Sequence, residues 1–489
     1  MTALLTNLRA LLADAITAYA GTPEQERLVA VVDRLDEPLR VAIAGRVKAG
    51  KSTLLNALVG EHLAATDAGE CTRVVTWYAS GVASRVWAYP HDGEPRQLPF
   101  HRSDGKTDIQ LGDLRAEDLD RLRIEVPNSR LERLTLIDTP GIGSLSTEVS
   151  ARTTTFLAGA TDRGADAVLY LMRHLHASDV SFLEAFHDQQ FAGTTPVNAI
   201  GVLSRADEIG AGRGDALDLA RQAAAGYRRD PRVRALMQTV VPVAGLLGQA
   251  GSTLREREYA ALRAIAADAP ARVEMALLSA DRFVAPATPL PVPPEVRRDL
   301  LGLLGLFGVR LGVTLLRHGL ATDAGVLAAQ LRDRSGLDEL RAILLDQFTR
   351  RRDVLKAYGA LRALETVLAN RPVPAAERLG MRLEALLVGA HELTELRLLN
   401  DLRTGAVELP TEERRDDAEA LLGAAGSAVR GRLRLPAETP DAEIRPALIA
   451  ALRRWQAIGE SPVASPTERR VAGVLRRTCE GLLAGTART

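Results

Sequence analysis

The chain of 489 residues is too long for a single hydrophobic core, and its length predicts two or three domains. Lysine plus arginine number 62, and aspartate plus glutamate also number 62, so no excess of positive charge indicates a nucleic-acid partner. Cys71 and Cys479 are too far apart to suggest a disulfide framework or a metal-binding motif, which favours a reducing, cytoplasmic setting.

The first segment of the chain carries apolar side chains at helical spacing, among them Leu4 and Leu8. Arg9 and Asp14 interrupt its apolar stretch, which argues against a signal peptide. We predict an N-terminal neck helix over residues 1–38. Because an isolated helix of this length is only marginally stable in water, we expect it to pack in one bundle with the apolar stripe near the other end of the chain.

Between residues 39 and 250, short apolar runs alternate with helical patterns. This alternation predicts an α/β domain with a mostly parallel sheet and helices on both faces. The stretch 73–127 is richer in turn residues and predicts an insertion with extra antiparallel strands. The strand-like runs are Val41–Ala44, Leu134–Ile137, Ala167–Met172, Ala199–Leu203 and Val240–Ala244.

From residue 251 to 489 helical periodicity takes over, and we predict an all-α neck and trunk domain. Its most apolar run, Leu300–Leu316, is short for a membrane-spanning helix and has Arg310 near its middle. Glycines recur in this run every three or four residues, which lets two helices approach closely. We therefore expect a buried helix of the bundle rather than a membrane segment.

The spacing Gly45-x-x-x-x-Gly50-Lys51-Ser52 after an apolar run is the phosphate-loop pattern. Glycines let backbone N–H groups wrap around an oxyanion, and the N-terminus of the following helix favours negative charge. Lys51 is predicted to bind the β- and γ-phosphates, and Ser52 to ligate Mg²⁺. Two of the four lysines in the chain lie in this loop. The predicted phosphate-binding residues are Gly45, Lys48, Ala49, Gly50, Lys51, Ser52 and Thr53.

Two further segments predict the magnesium site and a switch. Asp138 ends an apolar strand in the sequence Asp-Thr-Pro-Gly, where its carboxylate is suited to hold Mg²⁺ through water and the N–H of Gly141 to meet the γ-phosphate. Thr72 lies in Glu-Cys-Thr-Arg, where a switch would complete the Mg²⁺ shell and orient the attacking water. The predicted metal ligands are therefore Ser52, Thr72 and Asp138, and Lys51, Thr72 and Gly141 are predicted to act in catalysis.

The base is predicted from Asp207, which follows an apolar strand in Ser-Arg-Ala-Asp. A carboxylate there accepts hydrogen bonds from guanine N1–H and N2–H₂, which adenine does not offer. Arg205 replaces the usual lysine of this motif and keeps an aliphatic stem and a planar face to lie over the base. Val243 and Ala244, at the end of the last strand, are predicted to offer backbone N–H groups to guanine O6. The sequence thus predicts GTP, and a kinase or ATPase would leave Asp207 unexplained.

Together these motifs resemble those of bacterial dynamin-like GTPases, and among them the shorter of the actinobacterial isoniazid-inducible Ini proteins. The resemblance implies a large Mg²⁺-dependent GTPase with a helical neck and trunk. It further implies nucleotide-dependent association of the G domains and peripheral action on membrane lipid at the inner face of the cell membrane, by fission or fusion. The segments that carry it are GRVKAGKSTLLNALVG, ECTRVVTW, DTPG, SRADEIGAG and VPVAGLL, with further likeness in LLSADRFVAP and LLGLFGVRLGV.

One departure from the family bears on catalysis. Eukaryotic dynamins carry Gln-Ser where this chain has Val47 and Lys48, and that pair positions the catalytic water and a monovalent cation. Val47 cannot hydrogen-bond water. The resemblance implies that Lys48 places its ammonium where the cation would lie, which adds Lys48 to the catalytic residues.

Two alternative functions stay open at this point. The chain is also consistent with a GTP-binding partner or scaffold subunit that hydrolyses GTP weakly and acts with a longer paralogous GTPase; the missing Gln-Ser pair favours this. A small-GTPase-like regulator of ribosome assembly is disfavoured, because no basic RNA-binding segment is present in the sequence.

Overall fold

The computed structural model describes residues 3–61, 63, 74–103, 106–140, 164–176, 179–181, 183–184, 198–424 and 426–486. The strands are β1 Leu39–Gly45, β2 Thr76–Ser80, β3 Arg85–Pro90, β4 Arg96–Leu98, β5 Phe100–Ser103, β6 Lys106–Ile109, β7 Leu119–Val126, β8 Leu134–Asp138, β9 Ala167–Met172, β10 Ala199–Ser204 and β11 Thr239–Val243.

The helices over these residues are α1 Ala3–Ala18, α2 Pro23–Asp36, α3 Lys51–Val59, α4 Ala216–Arg229, α5 Pro231–Arg234, α6 Gly245–Thr253, α7 Glu256–Ala267, α8 Pro270–Ala276, α9 Ala280–Val284, α10 Pro294–Arg317, α11 Ala324–Arg334, α12 Leu337–Ile343, α13 Arg352–Asn370, α14 Ala376–Gly389, α15 His391–Thr404, α16 Glu412–Leu421, α17 Val429–Arg432, α18 Asp441–Glu460 and α19 Pro466–Thr486. A π-helical segment, Leu344–Thr349, joins α12 to α13.

Nine strands form one sheet in the order β11-β10-β9-β1-β8-β2-β7-β3-β4. The first five of these are parallel, with Val41 of β1 paired to Leu136 of β8 and Ala167 of β9. Strand β2 continues the sheet antiparallel to β8, and β3 and β4 are also added antiparallel. The five predicted strands and the β-rich insertion are thereby confirmed, except that β7 pairs parallel with β2; β5 and β6 form a separate hairpin.

The continuous apolar runs of the central strands follow from burial on both faces of the sheet. All seven residues of β1 are buried. Val41 and Ile43 pack in the core that extends through α3 to the helical bundle, whereas Ala42 and Ala44 face the core shared with α4 and α6–α11. Because alternate residues of a strand point to opposite faces, one short run contributes to both cores.

The segment predicted as one N-terminal helix over residues 1–38 is a pair of helices, α1 and α2. Gly21 has φ 76° and ends the first helix in a left-handed turn, and Pro23 begins the second at a position that needs no N–H donor. The prediction was wrong on this point because the Gly-Thr-Pro break lies between two apolar patterns of the same period.

The two ends of the chain contribute to one continuous hydrophobic core. Helix α1 packs mainly on α2, α13 and α14, and α19 packs on α18, α15 and α16. Tyr19, after α1, is fully buried and donates a hydrogen bond of 2.6 Å to the carbonyl of Arg371. The fold is thus an α/β G-type domain joined to an all-α bundle, as predicted, and the exact domain boundaries at 38 and 250 stay predictions.

The elements that pack against helix α10 differ from those that the sequence predicted. It packs against α6 and the loop after β10 of the α/β domain and against α7 and α9, in the core that contains Ala42 and Ala44 rather than in the core of the bundle. Its glycines permit that approach, because a Cβ at Gly308 would lie 2.8 Å from Leu247 Cδ2 and one at Gly312 would lie 3.3 Å from Leu262 Cδ1. In the described part of the chain, α10 is the helix with enough length and apolar character to cross a membrane, and 44% of its most apolar window is buried.

Candidate functional site

The phosphate loop, residues 45–52, lies between the end of β1 and the start of α3. Gly45 has φ 145°, and a Cβ there would lie 2.4 Å from the carbonyl oxygen of Leu171, so only glycine fits. Gly50 has φ 95°, and Lys48 has φ 63° although it carries a side chain. Such strained backbone is characteristic of ligand-binding loops.

Lys51 folds back onto the loop that it follows. Its Nζ donates to the carbonyls of Gly45 and Arg46 at 3.3 and 3.4 Å. Burial lowers the pKa of Lys51, and the nearby Asp138 carboxylate partly opposes that effect. Two long hydrogen bonds therefore hold the ammonium at the phosphate loop. Phosphate oxygens are well suited to replace the two carbonyls as its acceptors.

Asp138 and Ser52 form the core of the predicted metal site. Ser52 Oγ donates to Asp138 Oδ2 at 3.3 Å. Asp138 Oδ1 is buried and has no hydrogen-bond partner among the described residues. Burial raises the pKa of Asp138 to about 6, although the Lys51 charge and the Ser52 hydrogen bond lower it. A hydroxyl beside a carboxylate with a spare buried oxygen fits the oxygen ligands that Mg²⁺ prefers.

The remaining residues predicted around the phosphates divide into two groups. Thr72 and Gly141 lie outside the described residues, so their positions stay predictions. Ala49 is buried, and its N–H donates to the carbonyl of Arg46 at 3.1 Å. Thr53 lies in α3, and a Cβ on Gly245 would be 3.2 Å from its Cγ2. Helix α3 therefore packs on the segment that follows β11.

Asp207 lies in the loop that follows β10, residues 204–212, which we term the base loop. Ser204 Oγ donates to the carbonyl of Met172 at 3.2 Å and fixes the loop to the neighbouring strand. Asp207 is only 6% exposed, and burial raises its pKa. A buried carboxylate of this kind gains most from a ligand that brings its own hydrogen-bond donors, as guanine does.

Arg205 connects the base loop to the phosphate loop. Its Nη2 donates to the carbonyl of Lys48 at 3.2 Å, and its Nη1 donates to Glu208 Oε1 at 2.6 Å. Arg173, which follows β9, lies 3.7 Å from the same carboxylate. The structure therefore brings the predicted phosphate-binding and base-binding residues together through a bridge that sequence reasoning did not anticipate.

The end of β11 is held by a turn from a distant part of the chain. The N–H of Ala244 donates to the carbonyl of Ser335 at 2.8 Å, so it would have to leave Ser335 to meet guanine O6. Gly336 has φ 76°, and a Cβ there would lie 2.1 Å from the carbonyl oxygen of Pro242. Val243 is buried beside this contact. Ser335 and Gly336 form an ordinary Ser-Gly turn in the sequence, which gave no indication of this contact.

A phosphate loop, a strand-terminal aspartate beside it and a buried aspartate after a second parallel strand define a P-loop GTP-binding protein. A profile of the dynamin family matches residues 41–204. The isoniazid-induced protein IniC of Mycobacterium tuberculosis is 38% identical over 486 residues, covering 98% of each chain. The chain therefore belongs to the dynamin family, as a bacterial dynamin-like protein of the Ini type.

Two more distant relatives match only part of the chain. A bacterial dynamin-like protein of Nostoc punctiforme is 30% identical over 145 residues, covering 27% of this chain and 20% of that protein. IniA of Mycobacterium tuberculosis is 36% identical over 127 residues, covering 24% of this chain and 20% of that protein. Among solved structures, a chain of an oligomerised bacterial dynamin pair matches at 12% identity with a TM-score of 0.30, covering 100% of this chain and 76% of that one. A TM-score this low does not define the arrangement of the domains.

Proposed function

We propose that the chain is a dynamin-like GTPase that binds GTP with Mg²⁺, hydrolyses it to GDP and phosphate, and uses nucleotide-dependent association to remodel the cytoplasmic membrane. The observation that carries the nucleotide part is the hydrogen bond from Arg205 to the carbonyl of Lys48. This bond joins the base loop to the phosphate loop, which supports the proposal that one nucleotide reaches both Lys51 and Asp207.

Each described residue of the site has a defined role in this proposal. Lys51 and the loop N–H groups neutralise the β- and γ-phosphates, and Asp207 accepts from the guanine edge. Ser52 and Asp138 would hold Mg²⁺ together with Thr72, and the bound metal would neutralise charge that develops on the phosphates. The test is GTP turnover by the purified protein with and without Mg²⁺, and turnover that is equal in both conditions contradicts this part.

Lys48 is proposed to stabilise the transition state of hydrolysis. Its side chain is exposed, and its Nζ makes no hydrogen bond or ion pair with another described residue. The left-handed backbone at φ 63° presents this side chain at the middle of the phosphate loop. An ammonium free to approach the γ-phosphate would act as an arginine finger supplied within the same chain.

The membrane part of the proposal is supported by membership of the dynamin family and of the Ini group within it. In this proposal the protein is cytoplasmic and peripheral at the inner face of the cell membrane, and it associates with itself or with a paralogue. Liposomes of anionic lipid should raise GTP turnover and carry the protein down on centrifugation. Turnover that is unchanged by liposomes, without co-sedimentation, contradicts membrane action and leaves GTP hydrolysis untouched.

A second candidate function is a partner subunit with weak hydrolysis of its own. Val47 favours it, because its side chain is 48% exposed in the phosphate loop and cannot orient a water molecule. A longer paralogue such as the IniA type would then supply the active GTPase. Turnover that appears only when that second protein is added supports this function, whereas turnover by the chain alone argues against it.

A further inference from the structure

We propose that Gly305, where helix α10 is interrupted, forms a wall of the guanine site beside Asp207 and limits the space that the base edge occupies. This inference rests on the proposed GTP-binding function. It adds to the base site a residue nearly 100 positions beyond the base loop.

The first observation is the break itself. Helix α10 runs from Pro294 to Arg317, yet Gly305 in its middle has φ 65° and ψ 171°. This backbone conformation is essentially restricted to glycine, and sharp helix breaks without proline need a specific cause. The sequence around it, Leu-Leu-Gly-Leu-Phe, would otherwise continue as a regular apolar helix.

The second observation is where the break lies. A Cβ at Gly305 would be 3.8 Å from Asp207 Oδ2 and 3.4 Å from Leu246 Cδ1. Asp207 belongs to the base loop, and Leu246 follows the end of β11. The break in α10 therefore meets the two segments that the sequence predicted to contact the base, and it does so at the carboxylate oxygen that would accept from guanine.

The third observation is that α10 also holds the far end of the base loop. Arg310 Nη1 donates to the carbonyl of Gly212 at 2.6 Å, and its Nε donates to the carbonyl of Leu277 at 3.2 Å. A Cβ at Gly212 would lie 3.3 Å from the carbonyl oxygen of Asp207. Arg310 thus holds the end of the base loop, and the break at Gly305, five residues earlier on α10, lies beside its reading residue, Asp207.

Asp207 itself is suited to a ligand that enters this space. It is buried, and apart from its own backbone N–H its carboxylate accepts no hydrogen bond from the described residues. A buried carboxylate can accept more hydrogen bonds than this one, and the two donors of the guanine edge would supply them. The missing side chain at Gly305 leaves room for that edge, and any Cβ there would reduce the room.

The test compares two probes on the full-length protein: GDP, which has a base, and inorganic tripolyphosphate, which has none. Gly305→Ala should weaken GDP binding at least about tenfold, because it fills the space beside Asp207 and strains the backbone, and leave tripolyphosphate binding unchanged. Gly319→Ala is the matched control, since Gly319 also has a positive φ, 69°, but a Cβ there would meet no atom within 4 Å. Equal GDP affinity of wild type and Gly305→Ala overturns the inference.

A measurement on the wild-type protein covers the case in which Gly305→Ala does not fold. GDP should slow amide hydrogen exchange across residues 303–309, and tripolyphosphate should not. Equal protection by both probes, or by neither, overturns the inference. If the wild type binds tripolyphosphate but does not prefer GDP to ADP, the proposed GTP function fails instead, so the two failures are distinguishable.

Discussion

Arg205 donates a hydrogen bond of 3.2 Å to the carbonyl oxygen of Lys48, a residue 157 positions earlier in the chain. Both residues have left-handed backbone, with φ 53° and 63°, which residues other than glycine rarely adopt. The base loop and the phosphate loop are therefore in direct contact. Because strained backbone persists only where the surroundings determine it, this pair supports the proposal that the two loops form one nucleotide site.

Replacing the base-reading carboxylate should change the preferred base. Asp207→Asn should weaken GTP binding about 10- to 100-fold, the usual effect of losing hydrogen bonds to a charged group, and improve binding of xanthosine triphosphate. Competition binding with GTP, ATP and xanthosine triphosphate measures this. Asp215→Asn is the control, because Asp215 is an exposed acid in the segment after the base loop. An unchanged order of base preference in Asp207→Asn argues against the assigned role.

The two lysines of the phosphate loop should separate binding from hydrolysis. Lys48→Ala should slow GTP turnover by about 100-fold or more while changing GTP affinity little, since a finger acts on transition-state charge. Lys51→Ala should abolish GTP binding, because it removes the ammonium that is proposed to hold the phosphates. Lys106→Ala, in strand β6, should change neither quantity and serves as the control. Single-turnover hydrolysis and equilibrium binding give the two quantities, and normal turnover by Lys48→Ala contradicts the finger role.

A buried arginine of the bundle connects it to the α/β domain through hydrogen bonds to backbone carbonyls. Arg403 of α15 donates to the carbonyls of Met237 and Gln238 at 2.7 and 2.8 Å and to Glu419 at 3.2 Å. Burial lowers the pKa of Arg403 to about 10, and the Glu419 charge opposes this. Arg403→Met should lower the free energy of unfolding by about 3–5 kcal/mol, because it leaves buried acceptors without their donor.

The matched control for that prediction is Arg476→Met, since Arg476 is about half exposed and pairs with Glu480 one helical turn away. A surface pair of this kind should contribute about 0.5 kcal/mol or less. Chemical denaturation of both variants gives the comparison. Similar losses of stability in the two variants would show that the Arg403 contact does not join the domains energetically.

The stability of the bundle should depend on pH through Glu395. Burial alone would raise the pKa of Glu395, but hydrogen bonds from His391, Arg432 and Thr478 and the Arg432 charge lower it to about 2. A lowered folded-state pKa contributes stability that is fully present above the unfolded value of 4.5 and is lost as the pH falls through about 2. The contribution is on the order of 3 kcal/mol.

Glu395→Gln removes this titration and provides the test. Above pH 4.5 the wild type should be more stable than the variant, and the difference in the free energy of unfolding should shrink as the pH falls from 4.5 towards 2. Denaturant titrations of both proteins across this range measure the difference. A difference that does not change with pH would show that Glu395 keeps an ordinary pKa in the folded protein.

The parts of the molecule that depend on local pattern were predictable from the sequence. Buried strands such as Ala167–Met172 appear as continuous apolar runs, and the phosphate loop has a fixed spacing, so both were predicted with nearly correct bounds. Contacts between distant segments leave no such pattern. The glycine stripe of α10 predicted close packing, but nothing local indicated that its partner was the base loop or that Gly305 would interrupt the helix.

The same reason explains the contacts that were missed at the end of β11. Ala244 was predicted from its place after the last strand, whereas the turn at Ser335 that takes up its N–H comes from 91 positions further along the chain. A Ser-Gly turn between two helices is common, and only the packed structure shows what it contacts.

The central claim is that one site holds a triphosphate at Lys51 and reads guanine with Asp207. Competition between GTP and ATP for the purified wild-type protein in the presence of Mg²⁺ tests it most directly. GTP should bind at least about 100-fold more tightly than ATP, because only guanine supplies the two donors that the buried carboxylate accepts. Equal affinities for GTP and ATP would contradict the account.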